Sequence, residues 1–380
     1  MTPRRVNGRA RNLRLAGIAW FLTLTAAITG SWVFEPVLRD AADSDFTFVY
    51  LGARIGIEHG WNHIYSLDLQ HQLFSQLRPG APFGDGARFL SPPPLAWLAL
   101  PLSALGLTAA FWIWLAVSLL ALAAAWWLGA PGEGWKRWLW LLGALAWYPV
   151  LYTFALGQPV MLALLAVAGC WRLAETGRPY LAGAVLGLSA VKPQLTIAVP
   201  LVLLAAGRWR IAAAWGVTVL VLASASYIAI GGQGLDDYRR LLTEAQPVPN
   251  NRYFTLAAVI AAGGFAYATQ AGVTATGMIG GFVNRRASLA RLLCIGLVAT
   301  ALGASYWHVD DYAILLGAAW LFWRDGPPAW QRAWLLVVAL AAELAWPLGP
   351  IPILIALAVW LAFLIVPPRT QPTLAVAAAP

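Results

Sequence analysis

Charge is scarce in this chain. Only 11% of its 380 residues are Asp, Glu, Lys or Arg, while 60% are hydrophobic and 22 are tryptophan. That balance excludes an ordinary soluble domain and a disordered segment alike. Cysteine is nearly absent: Cys170 and Cys294 both lie in apolar runs, where they read as small packing groups rather than a disulfide or a zinc site. Lysine is equally rare, with Lys136 and Lys192 standing among many arginines. No tandem repeat, coiled-coil heptad or low-complexity linker is found.

What remains is a succession of apolar runs down the whole length. They are continuous and do not alternate, so they read as membrane helices rather than barrel strands; in lipid each segment must satisfy its own backbone groups. The fold class expected is therefore all-α, a polytopic membrane helical bundle of roughly 10–13 transmembrane helices forming one integral domain over residues 1–380. The net charge of +9 follows the positive-inside rule and gives no reason to expect a nucleic-acid partner. With the basic end 1–14 (Arg4, Arg5, Arg9, Arg11, Arg14) cytoplasmic, a first helix from about Leu15 to Phe34 reads as an uncleaved anchor. It delivers residues 35–90 to the exoplasmic side, with an interfacial helical segment from Phe46 to Gly60. Later basic connections, including Lys136–Arg137, Arg172–Arg178, Arg208–Arg210, Arg285–Arg286 and Arg369, then fall inside. Residues 232–254 form an exoplasmic loop and 367–380 a disordered tail. Pro101 and Gly106 predict a short re-entrant or interfacial piece before the crossing that ends near residue 128.

This topology gathers most acidic residues and all four histidines on the exoplasmic face. Asp43 and Asp45 form an acidic D-x-D pair just past the first helix. A carboxylate at a membrane–water boundary suits a general base, and a D-x-D pair suits a divalent cation; solvated acids capping the next helix would look the same. His59 and His63, four apart with His71 beyond, have metal-ligand spacing, but Gly60 and Asn62 disfavour the helix that would align them. Lys192, followed by Pro193 and Gln194, places an ammonium and an amide at the tip of an apolar hairpin, suited to an anionic group such as a phosphate; a snorkelling lysine is the alternative. Gln158, between Gly157 and Pro159, could bond a ligand or a broken backbone. Tyr306, Trp307, His308, Asp310 and Asp311 offer rings and carboxylates of the kind a sugar site needs, and equally an aromatic belt with a helix cap.

Taken in order, these motifs resemble a known family. A D-F-x-x-x-Y segment begins at Asp45, an IY pair ends at Tyr65, and a proline-rich SPPPLAWLALPLSAL starts at Ser91. Gly157–Gln158, the KPQ of Lys192–Gln194 and a late YWHVDDYAILL complete the series. Together they resemble glycosyltransferase family 87 over nearly the whole chain. The resemblance implies a GT-C-type membrane fold and transfer of a sugar, mannose or another hexose, from a polyprenyl-phosphate donor on the exoplasmic side of the plasma membrane. It implies that Asp45 is the catalytic aspartate, that Lys192 and Gln194 serve the donor phosphate, and that Asp311 occupies a late tyrosine–aspartate motif.

The reading that follows is inverting sugar transfer in which Asp45 takes the acceptor proton and cations such as Lys192 stabilise the departing lipid phosphate. Asp43, Gln158, His308 and Asp311 are the expected acceptor or sugar contacts. The partners are a polyprenyl-phosphate-linked sugar, a glycolipid or glycan acceptor, and the bilayer. No cofactor is required; a divalent metal is compatible with the acidic pair but not predicted. Many helices and a membrane-embedded lysine also fit a transporter or flippase, although no second copy of the SDFTFVY or VKPQL region gives the chain two similar halves. A noncatalytic subunit of an envelope-glycan pathway is the other alternative.

Overall fold

The computed structural model describes residues 8–84, 88–246 and 248–366. Arg4, Arg5, Arg369 and the tail expected at 367–380 lie outside them, as do the side chains of Arg9, Arg11 and Asn250. Among the described residues every regular element is helical. The chain is thus an all-α bundle, as the unbroken apolar runs require.

Helix α1 (Gly8–Arg39) extends past the expected Leu15–Phe34 at both ends. It packs along Trp138–Leu145 and Tyr148–Leu156 yet leaves Trp20, Phe21, Ile28 and Trp32 exposed. A long helix that shows large apolar side chains outward suits lipid, not water. Helix α2 (Phe46–Glu58) follows the first, as expected, and is buried on most faces by Leu67–Leu77, Pro93–Ala99 and α3 (Leu107–Gly129). The predicted broken entry into the next crossing is present: Pro93–Ala99 and the 3₁₀ turn Leu100–Ala104 precede α3.

The rest of the bundle is α4 (Tyr148–Leu156), α5 (Val160–Glu175), α6 (Pro179–Gly187), α7 (Trp209–Ala245), α8 (Leu289–Gly303), α9 (Leu315–Arg324) and α10 (Ile351–Ile365), with α8 buried along its whole length at the centre. Helices α6 and α7 approach closely because α6 presents glycine. A Cβ on Gly183 would stand 2.1 Å from the Ile211 carbonyl oxygen, and one on Gly187 would stand 2.6 Å from Thr218. Small residues at a crossing let backbones touch, which substitutes for a hydrophobic driving force that lipid does not supply.

Length and composition make α3, α7 and the Asn12–Arg39 part of α1 able to cross a bilayer alone. Gly134–Leu145 and Tyr148–Leu156 would form a fourth span, bent by 63°. The other apolar runs expected to cross form shorter helices, such as α8 and α10. The roughly 10–13 expected crossings are therefore not each one long straight helix. The stretch 232–254 also differs from the loop expected there. Helix α7 turns at Gly231 (φ 64°) and continues to Ala245, followed by the short helix Pro249–Arg252. Its polar half keeps a helical pattern, with Asp236–Arg239 and Asp237–Arg240 ion pairs outside and Leu241 and Ala245 buried inside.

Candidate active site

Asp45 stands at the N-terminus of α2 but does not cap it: its side chain accepts no hydrogen bond from the helix. Its carboxylate turns instead to Gln158, whose Nε2 donates to Asp45 Oδ2 at 2.5 Å. Gly157 makes this meeting possible. Helix α4 ends there in a left-handed conformation (φ 67°), and a Cβ at Gly157 would come within 2.6 Å of the Cβ of Phe46, Asp45's neighbour. Only glycine allows both the backbone angle and the contact. The indole of Trp114 on α3 donates to the Gly157 carbonyl at 2.8 Å and stacks on Phe46, fixing the turn against α2.

Beyond Gln158 lies Lys192, in the break between two 3₁₀ turns, Leu188–Val191 and Pro193–Leu195. Pro193 denies residue 192 a helical conformation, and a Ser189–Thr196 hydroxyl contact of 2.6 Å spans the gap. The buried Lys192 ammonium reaches three oxygens: Gln158 Oε1 at 2.8 Å, Asp311 Oδ1 at 2.5 Å and Asp310 Oδ2 at 3.2 Å. The contacts to Gln158 and Asp310 are hydrogen bonds, and that to Asp311 is an ion pair.

Asp310 and Asp311 are wholly buried at the start of the turn leading into α9. Thr153 on α4 donates its hydroxyl to the Asp310 carbonyl at 2.9 Å. The backbone N–H of His308 donates to Asp311 Oδ2 at 3.0 Å. The His308 ring lies 3.3 Å from Asn251 Oδ1 and stacks on Tyr306.

A cavity of ≈ 650 Å³ is lined by Asp45, Gln158, Lys192, Gln194, Tyr306 and His308. Arg88, Ser91, Tyr238 and Arg252 also line it. The segment carrying Arg88 and Ser91 is held by Tyr65, which stacks on Phe89 and Tyr238 and donates to the Ser91 carbonyl at 2.8 Å. Arg88 pairs with Glu244 of α7 at 2.9 Å. Burial is the main cause holding Asp45 above the ordinary carboxylate range, and the Asp310 carboxylate adds to it. The Gln158 hydrogen bond, His308 and Lys192 act the other way.

The residues singled out in the sequence divide clearly. Asp45, Gln158, Lys192, Gln194 and His308 share the cavity wall. Asp311 sits behind it as a partner of Lys192. Asp43 is not among the lining residues; it is exposed and, with Asp40, pairs with Arg78, each contact at 2.8 Å. The capping and solvation reading thus describes Asp40, whose carboxylate accepts from Ala42 N–H, better than Asp45. His63 contacts Asn62, and His71 stacks on Phe83. Among the described residues no group of three or more His, Cys, Asp or Glu is arranged for a metal ion. Of the late cluster, Tyr306 joins His308 on the wall and Asp310 stands with Asp311 beside Lys192. Arg252, from the polar stretch before residue 254, also lines the cavity, and the geometry adds Arg88, which nothing in the sequence ties to it.

Comparison with curated proteins gives no match, and comparison with solved structures gives none. Comparison with protein families matches glycosyltransferase family 87 over residues 89–347. The match takes in Gln158, Lys192 and the Asp310–Asp311 doublet, while Asp45 reaches that cluster from outside the matched segment. It covers about two thirds of the chain, in an apolar all-helical fold with membrane-spanning helices, so the chain belongs to glycosyltransferase family 87 and is a membrane glycosyltransferase.

Proposed function

We propose that this protein transfers a hexose, with mannose the leading choice, from a polyprenyl-phosphate donor to a glycolipid or glycan acceptor, with inversion at the anomeric carbon. The observation that carries the proposal is the carboxylate of Asp45, set in the wall of a cavity large enough for a sugar and its phosphate. Among the described lining residues it is the one carboxylate, which suits direct displacement, in which the acceptor hydroxyl attacks the anomeric carbon as the bond to the phosphate breaks. Asp45 takes the hydroxyl proton. The phosphate leaves with the electron pair, and a phosphate ester needs no protonation to do so.

Positive charge for the departing phosphate comes from Arg88, Arg252 and Lys192. Lys192 contributes as charge, because its ammonium already contacts Gln158, Asp310 and Asp311. Gln194 supplies an amide on the same wall, and His308 and Tyr306 offer a stacked pair against which a sugar ring packs. The site opens on the exoplasmic face of the plasma membrane, and the lipid chain stays in the bilayer beside the apolar helices. The carrier lipid supplies the membrane attachment that a nucleotide sugar would lack.

The test is transfer of labelled sugar by purified protein in lipid. Polyprenyl-phosphate hexoses and pentoses are compared with nucleotide sugars, and product anomers are read by NMR. Turnover with a polyprenyl-phosphate hexose and inverted product is expected. Turnover from a nucleotide sugar alone would overturn the donor assignment, and retained configuration would overturn the mechanism. A folded protein that moves lipid-linked sugar across the membrane without transferring it would favour the flippase reading.

A further inference from the structure

The hydrogen bonds behind Asp45 form a directed chain. A glutamine amide fits its neighbours in only one of two orientations, and its carbonyl and amino ends are told apart by what they face. On one side of Gln158 stands Lys192, a group with donors only, so the amide oxygen must face it. On the other side stands Asp45, which accepts when ionised, so the amino group must face that. A flipped amide would set N–H against ammonium and oxygen against carboxylate. Lys192 is itself fixed by Asp310 and Asp311, two buried carboxylates on a turn tied to α4 through Thr153.

We infer that Lys192 and Gln158 are positioning residues for Asp45: the anchored ammonium locks the Gln158 amide, and the amide holds Asp45 Oδ2 so that the other carboxylate oxygen, Oδ1, faces the acceptor. This rests on the transferase reading above but gives Lys192 a further task, since the ammonium already donates to Gln158 and Asp310 and pairs with Asp311. It also gives the buried doublet a purpose that sugar contact does not. The chain works in one direction only, from Asp310 and Asp311 through Lys192 and Gln158 to the base. The Gln158 bond also opposes the burial and the Asp310 charge that raise Asp45, so removing it should leave the base harder to ionise.

Two substitutions at Gln158 test the inference. Gln158→Leu removes the amide but fills similar space. Gln158→Glu preserves the shape and sets a second carboxylate against Asp45. Each purified variant is assayed for kcat and donor KM over a pH series, with folding checked by size-exclusion chromatography in detergent. Gln158→Leu is expected to lower kcat by roughly 10- to 100-fold with donor KM nearly unchanged, and to move the acid limb of the kcat profile to higher pH. Gln158→Glu is expected to move that limb further still. If Gln158 only fills space, the near-isosteric Gln158→Glu should resemble the wild type more closely than Gln158→Leu does, and that order would overturn the inference. So would an unmoved acid limb in both variants. Lys192→Met and the double variant Lys192→Met/Gln158→Leu provide the companion measurement: if the ammonium acts through the amide, the double variant loses no more kcat than Lys192→Met alone, whereas losses that multiply would overturn that link. A wild-type protein that transfers no sugar would overturn the transferase reading itself, and this inference with it.

Discussion

Asp45 combines two properties that a base at this boundary needs: an address in the cavity wall and an environment that alters its acidity. Its proton affinity is raised mainly by burial and further by Asp310. A raised value means that the carboxylate is protonated, and so inactive as a base, at a pH where an ordinary aspartate would still be ionised. Activity should therefore be full above the raised value and fall as pH drops through it, and the acid limb of kcat/KM should lie above the ordinary aspartate pKa of about 3.9. A limb at or below that value would contradict the environment described. Lys192 makes a different kind of demand. It neutralises buried acids, so Lys192→Ala leaves Asp310 and Asp311 facing each other without a counter-charge, a change that costs about 3–5 kcal/mol when a buried pair loses one partner. Thermal unfolding in detergent should show a large loss of stability, whereas Asp43→Ala, which removes an exposed partner of Arg78, should shift stability by no more than about 1 kcal/mol.

At the scale of elements, the site depends on turns more than on helices. Gly157 is the clearest case, because its left-handed backbone ends α4 and its missing side chain admits Phe46. Gly157→Ala should cost about 1–2 kcal/mol from the backbone alone. It should also push Gln158 away from Asp45, so activity should fall by more than stability does; unchanged activity would separate the turn from the site. Gly183 makes the corresponding prediction away from the site. Gly183→Leu forces side-chain atoms into the Ile211 carbonyl, and the separation of α6 and α7 should appear as a lowered unfolding temperature, with overpacking of this kind costing about 1–3 kcal/mol.

Much of this was legible in the sequence, for physical reasons. Apolar runs without alternation required helices, and Pro101 with Gly106 marked the broken piece before α3. Rare polar residues in an apolar chain marked the cavity: Asp45, Gln158, Lys192 and His308 all lie on its wall. What the sequence concealed was tertiary. Residues 236 to 245 have a loop's composition yet continue α7, because a helix can turn at Gly231 and carry a charged outer face. Asp43 and Asp45 are indistinguishable by type, and only the path of α2 turns one outward to Arg78 and the other inward to Gln158. The partner of Lys192 was also hidden, since residues 192 and 311 meet only through the packing of the turn Asp310–Ile314 on α4 and α5.

At the scale of the whole molecule, polarity is concentrated toward one set of helix ends. The basic connections Arg172–Arg178 and Arg208–Arg210 lie at the opposite ends of α5, α6 and α7 from Gln158, Lys192 and Arg88. By the positive-inside rule this arrangement supports the proposed exoplasmic placement of the cavity. Single cysteines at Asp43 and Arg210, in a background where Cys170 and Cys294 are replaced by alanine, should report this directly. A membrane-impermeant thiol reagent added to intact cells should modify Asp43→Cys and spare Arg210→Cys; the reverse pattern would invert the topology.

The central claim is that Asp45 is the base of a transferase, and the most direct test separates binding from chemistry. Wild type and Asp45→Asn, reconstituted in lipid nanodiscs, are each measured for donor binding with a labelled polyprenyl-phosphate hexose and for single-turnover transfer to acceptor. Asparagine keeps the shape but cannot take the proton, so donor binding should be nearly unchanged while transfer falls by at least about 10²- to 10⁴-fold. Transfer by Asp45→Asn at the wild-type rate would contradict the account.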